Sequence, residues 1–513
     1  MPNSISQVLM NQLQLKLLFL LIALGGSSSC ARKKASLVWQ NDLPVVGSES
    51  SPRTVDLNGD GVLDIVIGAG RNESQETSQG IIAFDGQTGN ILWEQKAADQ
   101  VYGSATFYDV TGDGISDVFI GGRGPHFKAL NGKDGSVIWE YADTYENDSI
   151  LANAKFNFNN SILIPDQNGN GSMDLITSNG GNGLAVPNSE KDRSPGVLMI
   201  LDSKTGNVLA ADTMPDGKES YMSPLCFAQP GSDDYLIIFG TGGETIDGNL
   251  YMGHLSDLKN KKLSNCRIVA SEKKHGFIAP PSVADINQDG YYDVVAISHA
   301  SSVFAIDGKS EQIIWTQKIH NTESSNSLAV GYFNEDKVPD FFTFVSKGEW
   351  PNNVGSFQVM LNGIDGSIGF KDSIGCTGFS SPVVYDLNSD GVDEAIISIN
   401  EFDCNKGFVT EAIEQIENKV FAINFINKTS QIIDQAQGFK NIFTTPWLGD
   451  LDGNGYLDIV YCQYFSRGGL LVFLGMRTKR IETPVKIHEK AIWGAYMGSE
   501  GDGLFNPNDG SNK

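Results

Sequence analysis

Short apolar runs, each opening on an acidic residue, recur along the chain: Asp64-Ile-Val-Ile-Gly68, Asp117-Val-Phe-Ile-Gly121, Asp293-Val-Val-Ala-Ile297 and Asp458-Ile-Val-Tyr461. Runs this short, rich in β-branched residues and bounded by turn residues, predict buried strands. A variable segment follows each run. Then come two more β-rich stretches around a turn, in Ile81–Trp93, Phe127–Trp139, Val197–Leu209 and Val303–Trp315. Asp-Gly and Thr-Gly pairs at their centres are hairpin chemistry. With the stretch before each acidic loop, such as Arg53-Thr-Val55, every unit supplies four antiparallel strands.

The polar segments between the first and second strands share one spacing. They read Asp56-Leu-Asn58-Gly-Asp60-Gly-Val-Leu-Asp64, Asp109-Val-Thr111-Gly-Asp113-Gly-Ile-Ser-Asp117, Asp166-Gln-Asn168-Gly-Asn170-Gly-Ser-Met-Asp174, Asp285-Ile-Asn287-Gln-Asp289-Gly-Tyr-Tyr-Asp293, Asp386-Leu-Asn388-Ser-Asp390-Gly-Val-Asp-Glu394 and Asp450-Leu-Asp452-Gly-Asn454-Gly-Tyr-Leu-Asp458. Oxygen side chains at positions 1, 3, 5 and 9, with Gly at 6 for the sharp turn, suit a hard cation such as Ca²⁺. Six loops in register predict about six calcium sites.

Successive loops start 53, 57, 119, 101 and 64 residues apart. Each long gap hides a degenerate repeat. Tyr332–Asp340 keeps Asn334, Asp336 and Asp340, while Phe227–Gly240 keeps only the following strand. Eight units of about 50 residues predict an all-β, eight-bladed β-propeller, in which radial repetition leaves only short edges. Seven blades is the alternative, if the loopless fourth unit is an insertion. Leu37-Val-Trp39-Gln matches an outermost strand, and Ile492-Trp-Gly-Ala495 resembles the start of another unit; these surplus pieces are expected to meet and fasten the ring. Trp93, Trp139 and Trp315 occupy equivalent strand positions and are read as packing between blades.

The acidic loops resemble those of FG-GAP/VCBS repeats, the family of the integrin α-subunit propeller. The Asp-x-x-Thr-Gly-x-x-x-Trp hairpins are similar to the repeats of PQQ-type, quinoprotein-like propellers. Together the two resemblances cover roughly residues 37–497. In the FG-GAP family such loops bind Ca²⁺ on the lower rim, which implies that role for the loop positions above. Complete Phe-Gly and Gly-Ala-Pro signatures are missing, so integrin-like partner binding is not implied. Quinoprotein dehydrogenases use adjacent cysteines against their cofactor; none occur here, so no PQQ is expected.

Lys16, the apolar run Leu17–Leu24 and the small residues before Cys30 look like an export signal, too short to span a bilayer. Their arrangement resembles a bacterial lipoprotein signal in residues 1–29, with Cys30 lipidated; an ordinary signal peptide with an incidental cysteine is the alternative. The expected organisation is completed by a propeller over residues 37–500 and a flexible tail over 501–513. An outer-membrane-anchored lipoprotein of the cell envelope follows, on an undetermined side. Of the other cysteines, Cys226/Cys266 and Cys376/Cys404 can form disulfides in such a compartment, and Cys462 reads as a buried thiol. The net charge of −25 argues against nucleic acid as partner, and six Ca²⁺ would offset about half of it.

Strand alternation puts the acidic loops and the third-to-fourth hairpin turns on one face. The variable segments Gly70–Gly80, Gly180–Gly196, Lys347–Ser356 and Asn400–Lys419 fall on the other, where long loops on a rigid scaffold carry binding. Arg71, Arg123, His126, Arg193, Glu244, His299, Trp350, Tyr464 and Arg467 are the candidate ligand-binding residues there. No HExxH, GxSxG or phosphate-binding loop is present, and no catalytic residue is assigned. The expected function is non-catalytic binding of a glycan or protein, with calcium as a structural staple. A polysaccharide lyase, with His126, His299 and Arg123 as its suspects, and a scaffold in an envelope assembly complex are the alternatives.

Overall fold

Strands whose residues are apolar on both sides must be covered on both faces, and stacking sheets radially does this. The computed structural model describes residues 35–507, apart from 142–144, 146, 351, 407–411 and 468–471. Eight antiparallel sheets succeed one another; six have four strands, and in two the innermost strand is broken into two short pieces. In blade 1 the order from the axis outward is Arg53–Val55, Asp64–Gly68, Thr77–Phe84 and Ile91–Ala97. The second strand is buried throughout, whereas the outermost alternates between buried and exposed positions.

The unit without an acidic loop is a full blade: Leu225–Ala228, Tyr235–Gly240, Gly248–His254 and Arg267–Glu272. A short helix, Leu255–Lys259, stands where other blades have a hairpin turn. The ring therefore has eight blades, not seven.

Three pairs of neighbouring blades are joined by one repeated device. Trp93 Nε1 donates to the Gly132 carbonyl of the next blade at 2.7 Å, Trp139 to Ser203 at 2.7 Å and Trp315 to Gly363 at 2.8 Å. Each indole also lies against a left-handed glycine of that turn. At Gly135, Gly206 and Gly366, φ is +71° to +72° and a Cβ would come within 2.4–2.7 Å of the ring. Glycine is thus required there twice over, by backbone conformation and by close approach. A buried indole with its N–H satisfied joins a large apolar area to a fixed register.

The same device closes the ring. Ser36–Pro44 pairs antiparallel with Gly475–Lys486 as the outermost strand of blade 8, and Trp39 Nε1 donates to Gly86 of blade 1 at 2.8 Å. The expected meeting with Ile492–Ala495 does not occur, because that segment lies elsewhere. After Lys486 the chain leaves on the acidic-loop face, where the Ile487 amide bonds to Gly455, and turns into the axis of the ring. Innermost-strand amides of Val384 and Leu448 bond to the Trp493 and Gly494 carbonyls. Arg53, on the innermost strand of blade 1, donates to the carbonyls of Tyr496, Gly498 and Ser499.

The segment then returns. Gly503 and Phe505 bond to both backbone groups of Val283 in blade 5. Residues 501–507 thus belong to an axial plug rather than to a free tail, since unpaired inner-strand amides offer them partners. Residues 508–513 lie outside the described residues, as do 1–29 and Cys30. Between the plug and blades 5 to 7 remains a cavity of about 360 Å³.

Cys376 and Cys404 form a disulfide, with Cα atoms 5.2 Å apart. Cys226 and Cys266 do not pair: both are free and buried, one on the innermost strand of blade 4 and the other beside its outermost strand. Cys462 is a buried free thiol.

Candidate functional site

Each acidic loop is shaped by its own first residue. Asp56 accepts the amides of Gly59 and Gly61 at 2.7 and 3.0 Å, and Asp109 accepts those of Gly112 and Gly114 at the same distances. Asp166 and Asp386 repeat the pattern, while Asp285 and Asp450 accept the amides of positions 5 and 6. The glycine at position 6 has φ between +80° and +87° in all six loops. Amide bonds hold carboxylates in their charged form. The Gly171 amide, joined by those of Gly169, Asn168 and Asn170, keeps the Asp166 carboxyl below its ordinary range.

Position 9 behaves differently. Asp64 is fully buried, its Oδ2 accepting the Leu57 amide of its own loop at 2.9 Å and its Oδ1 the Gly86 amide of the hairpin at 3.0 Å. Asp117 does the same with Val110 and Gly132, and Asp293 with Ile286 and Gly308. Asp174 and Glu394 accept the equivalent loop amides of Gln167 and Leu387. These carboxylates clasp the loop to the blade. Burial pushes the Asp64 and Asp293 carboxyls up to about 6, against the lowering effect of those amides.

Positions 3 and 5 stay at the surface and meet a group that the loop spacing alone does not reveal. Asn168 and Asn170 donate to Asp202 at 2.6 and 3.0 Å, and Asn287 donates to Asp307 at 3.0 Å. Both acids sit in the third-to-fourth turn of the same blade, so the Asp of each Asp-Gly or Asp-Ser turn was the signal available. Thr111 lies 3.4 Å from Asp109; Asp60, Asp113, Asp289 and Asp390 each accept the amide two residues on. Asn388 donates to Glu394 at 2.6 Å. Oxygen donors of this kind, some already pre-formed by backbone bonds, fit a hard cation.

Blade 8 departs from the pattern. Asp450, Asp452 and Asp458 bring three carboxylate oxygens within 4.8 Å of one another. Arg480, itself 1% exposed, already bonds Asp452 at 2.6 Å and both oxygens of Asp458 at 3.0 Å. Asn454 donates to Glu482 at 2.7 Å. A resident guanidinium thus answers part of the charge that a metal would answer in the other loops.

On the opposite face the candidates separate into three groups. Arg123 is held among carboxylates, 3.0 Å from Glu73 and 3.5 Å from Glu49, with its Nε on Gln100 at 2.6 Å and its guanidinium 5.8 Å from the centre of the Tyr102 ring. Burial works against its charge, but Glu49 and Glu73 outweigh it and raise its pKa. Arg71 is exposed in a groove with Lys96, Lys128 and Glu140; His126 stands 3.4 Å from Glu140, and Arg467 lies exposed beside Phe465.

Arg193 and Tyr464 are already committed. Arg193 pairs with buried Glu219 and bonds the Ser189 carbonyl, pinning the long loop before it. Tyr464 is buried against Phe473, so it packs blade 8 instead of facing a ligand. Its place within a long inner strand, Tyr456–Phe465, explains the difference.

The third group gathers around His299. One ligand atom each from His275, His299 and Glu323 lies within 4.8 Å of the other two. His299 is 3% exposed; burial, aided by His275 and opposed by the Ser324 carbonyl, pushes its imidazole down to about 3. Burial also raises the Glu323 carboxyl, although the Trp350 amide bonds it at 2.8 Å. Glu244 contributes its carbonyl, which meets His275 Nδ1 at 2.6 Å. Trp350 rests edge-on against Phe379. The sequence flagged His299, Glu244 and Trp350, but not His275 or Glu323.

Residues 29–223 match the family model of the outer membrane protein assembly factor BamB. That stretch takes in the closing strand and blades 1 to 3, and it is similar to PQQ-like propeller repeats. No curated protein matches the chain. Among solved structures, a europium-containing methanol dehydrogenase aligns at 9% identity over 87% of this chain and 93% of its own, with a TM-score of 0.56. A quinohemoprotein alcohol dehydrogenase from Comamonas testosteroni aligns at 10% identity over 89% and 77%, with a TM-score of 0.54. BamB from Moraxella catarrhalis aligns at 12% identity over 89% and 100%, with a TM-score of 0.48. At these identities the likeness to the dehydrogenases is one of fold.

Proposed function

We propose that this protein is a non-catalytic propeller of the cell envelope, stapled by calcium on one face and binding a glycan or protein ligand with the other. One observation carries the reading: charged and aromatic side chains from several blades converge on the face that lacks the acidic loops. On that face Arg123 meets Glu49, Glu73 and Tyr102, while Arg71 lines an open groove and His126 stands beside its Glu140. Arginine and aromatic groups on a rigid scaffold suit recognition. The acidic face consists of turns whose side chains answer their own backbone, which suits stapling better than recognition. Calcium would be held by the side chains at positions 1, 3 and 5, and its charge would offset their mutual repulsion.

The disulfide and the BamB-type repeats support an exported location. Attachment to the outer membrane through lipidated Cys30 completes the reading. The family match also favours a second reading, a scaffold in an envelope assembly complex. A polysaccharide panel with Ca²⁺ present, scored both for retention and for product, tests the first. Retention without turnover is expected. Product formation would replace binding by catalysis, and a stoichiometric membrane partner with no glycan retention would favour the scaffold.

A further inference from the structure

We propose that His275, His299 and Glu323 form a binding site for a Zn²⁺-type divalent cation on the face opposite the acidic loops. The three residues come from separate connections. His275 lies between blades 4 and 5, His299 follows the second strand of blade 5, and Glu323 begins blade 6. Their ligand atoms fall within 4.8 Å of one another.

The outer bonds of the three groups help to orient them. His299 Nδ1 lies 3.1 Å from both the Ser324 carbonyl, which can only accept, and the Ser325 hydroxyl, which can do either; a proton on Nδ1 satisfies both and leaves the lone pair on Nε2. His275 Nδ1 stands 2.6 Å from the Glu244 carbonyl, and by the same logic its Nε2 is the unprotonated nitrogen. Glu323 takes the Trp350 amide on Oε2, and its Oε1 is the oxygen nearest His299 Nε2. Metal-ligating histidines commonly donate their second nitrogen to a carbonyl in this way, which orients the ring and raises its basicity.

His299 Nε2 and Glu323 Oε1 are 3.9 Å apart, too far for a hydrogen bond, and both residues are buried. With metal–ligand bonds near 2.0–2.1 Å, tetrahedral ligands sit about 3.4 Å apart, so a closure of roughly half an ångström would seat the ion between these two. Two imidazoles and one carboxylate select a borderline ion over Ca²⁺, whose ligands are oxygens. Three protein ligands leave a fourth position open to solvent or to a bound partner's oxygen. The site stands whether or not this face binds a glycan.

The test uses the untagged mature chain, stripped with chelator and returned to millimolar Ca²⁺ so that the acidic loops are answered separately. Zn²⁺ titrated by calorimetry should then bind with one equivalent per chain. His275→Ala, at a half-exposed position, should weaken it about 100-fold, and Glu323→Gln at least about 10-fold. His254→Ala, which removes a surface histidine paired with Asp234, should leave it unchanged. Co²⁺ should give the visible absorption of a four-coordinate nitrogen and oxygen site, and lose it in His275→Ala. No uptake by the parent chain, or equal uptake by His275→Ala with an unchanged melting curve, would overturn the proposal.

Discussion

On the acidic face six blades complete their turn with residues eight positions apart, as Asp56 and Asp64 are. On the opposite face His275, His299 and Glu323 arrive from three connections spread over 48 residues. The first kind of structure is local and copied blade after blade. The second exists in one place and depends on how blades 4, 5 and 6 stand together. Repetition therefore marks what holds the ring, and convergence without repetition marks where a partner is to be sought. Blade 8 sharpens the contrast, since Arg480 there pairs with the loop carboxylates Asp452 and Asp458.

The largest effect should come from breaking a clasp. Asp293→Ala leaves the buried amides of Ile286 and Gly308 without an acceptor, which should cost about 2–5 kcal/mol. Chemical denaturation with Ca²⁺ present and absent measures it. A loss seen only with Ca²⁺ would make position 9 a metal ligand first and a clasp second. Of comparable size is Trp93→Ala, at about 3–5 kcal/mol, because it removes the indole between blades 1 and 2.

Calcium removal comes next. At free Ca²⁺ of about 100 times a loop's Kd, that loop contributes about 2.7 kcal/mol, so excess EGTA should lower the melting temperature by several degrees. An unchanged curve would leave the acidic face held by hydrogen bonds alone.

The plug allows a smaller, pH-dependent test between the faces. Burial pushes the Asp502 carboxyl up to about 6, with Glu500 adding to the rise and the Leu504 amide and Arg53 opposing it. Below about pH 4 the group is protonated in both the folded and unfolded chain and contributes nothing. Between about 4 and 6 the folded chain keeps a proton that the unfolded chain has released, so stability falls as pH rises, and above 6 the penalty is complete. Asp502→Asn should therefore stabilise the protein at pH 7–8 and leave it unchanged near pH 4. An equal effect at both pH values would mean that packing, not charge, governs the plug.

The smallest effect on stability belongs to the opposite face. Arg71→Ala removes an exposed side chain and should shift stability by no more than about 0.5 kcal/mol, while retention of the ligand drops. A large loss of stability there would erase the distinction between the faces.

Much of the architecture was legible from particular residues. The runs opening at Asp64, Asp117 and Asp293 form second strands, and the Asp85-Gly86 turn ends a hairpin, because period, turn chemistry and burial agree there. Trp39 was recognisable as an outermost-strand residue from its match to Trp93, and it occupies that place in blade 8. Ile492–Ala495 misled because an apolar stretch filling an axis has the same composition as one starting a blade. Tyr464 misled because aromatic residues mark recognition surfaces and strand interiors alike. His275 and Glu323 were invisible for a different reason: neither spacing nor motif links them.

The chain by itself determined the four-strand unit, its number and the composition of the acidic loops, since each rests on residues close in sequence whose periodicity and turn chemistry act before the ring exists. Only the tertiary structure decided which loop carboxylates turn inward, what fills the axis and which histidines meet. Those outcomes depend on unpaired inner-strand amides finding Trp493 to Phe505, and on neighbouring blades bringing distant connections within a few ångströms.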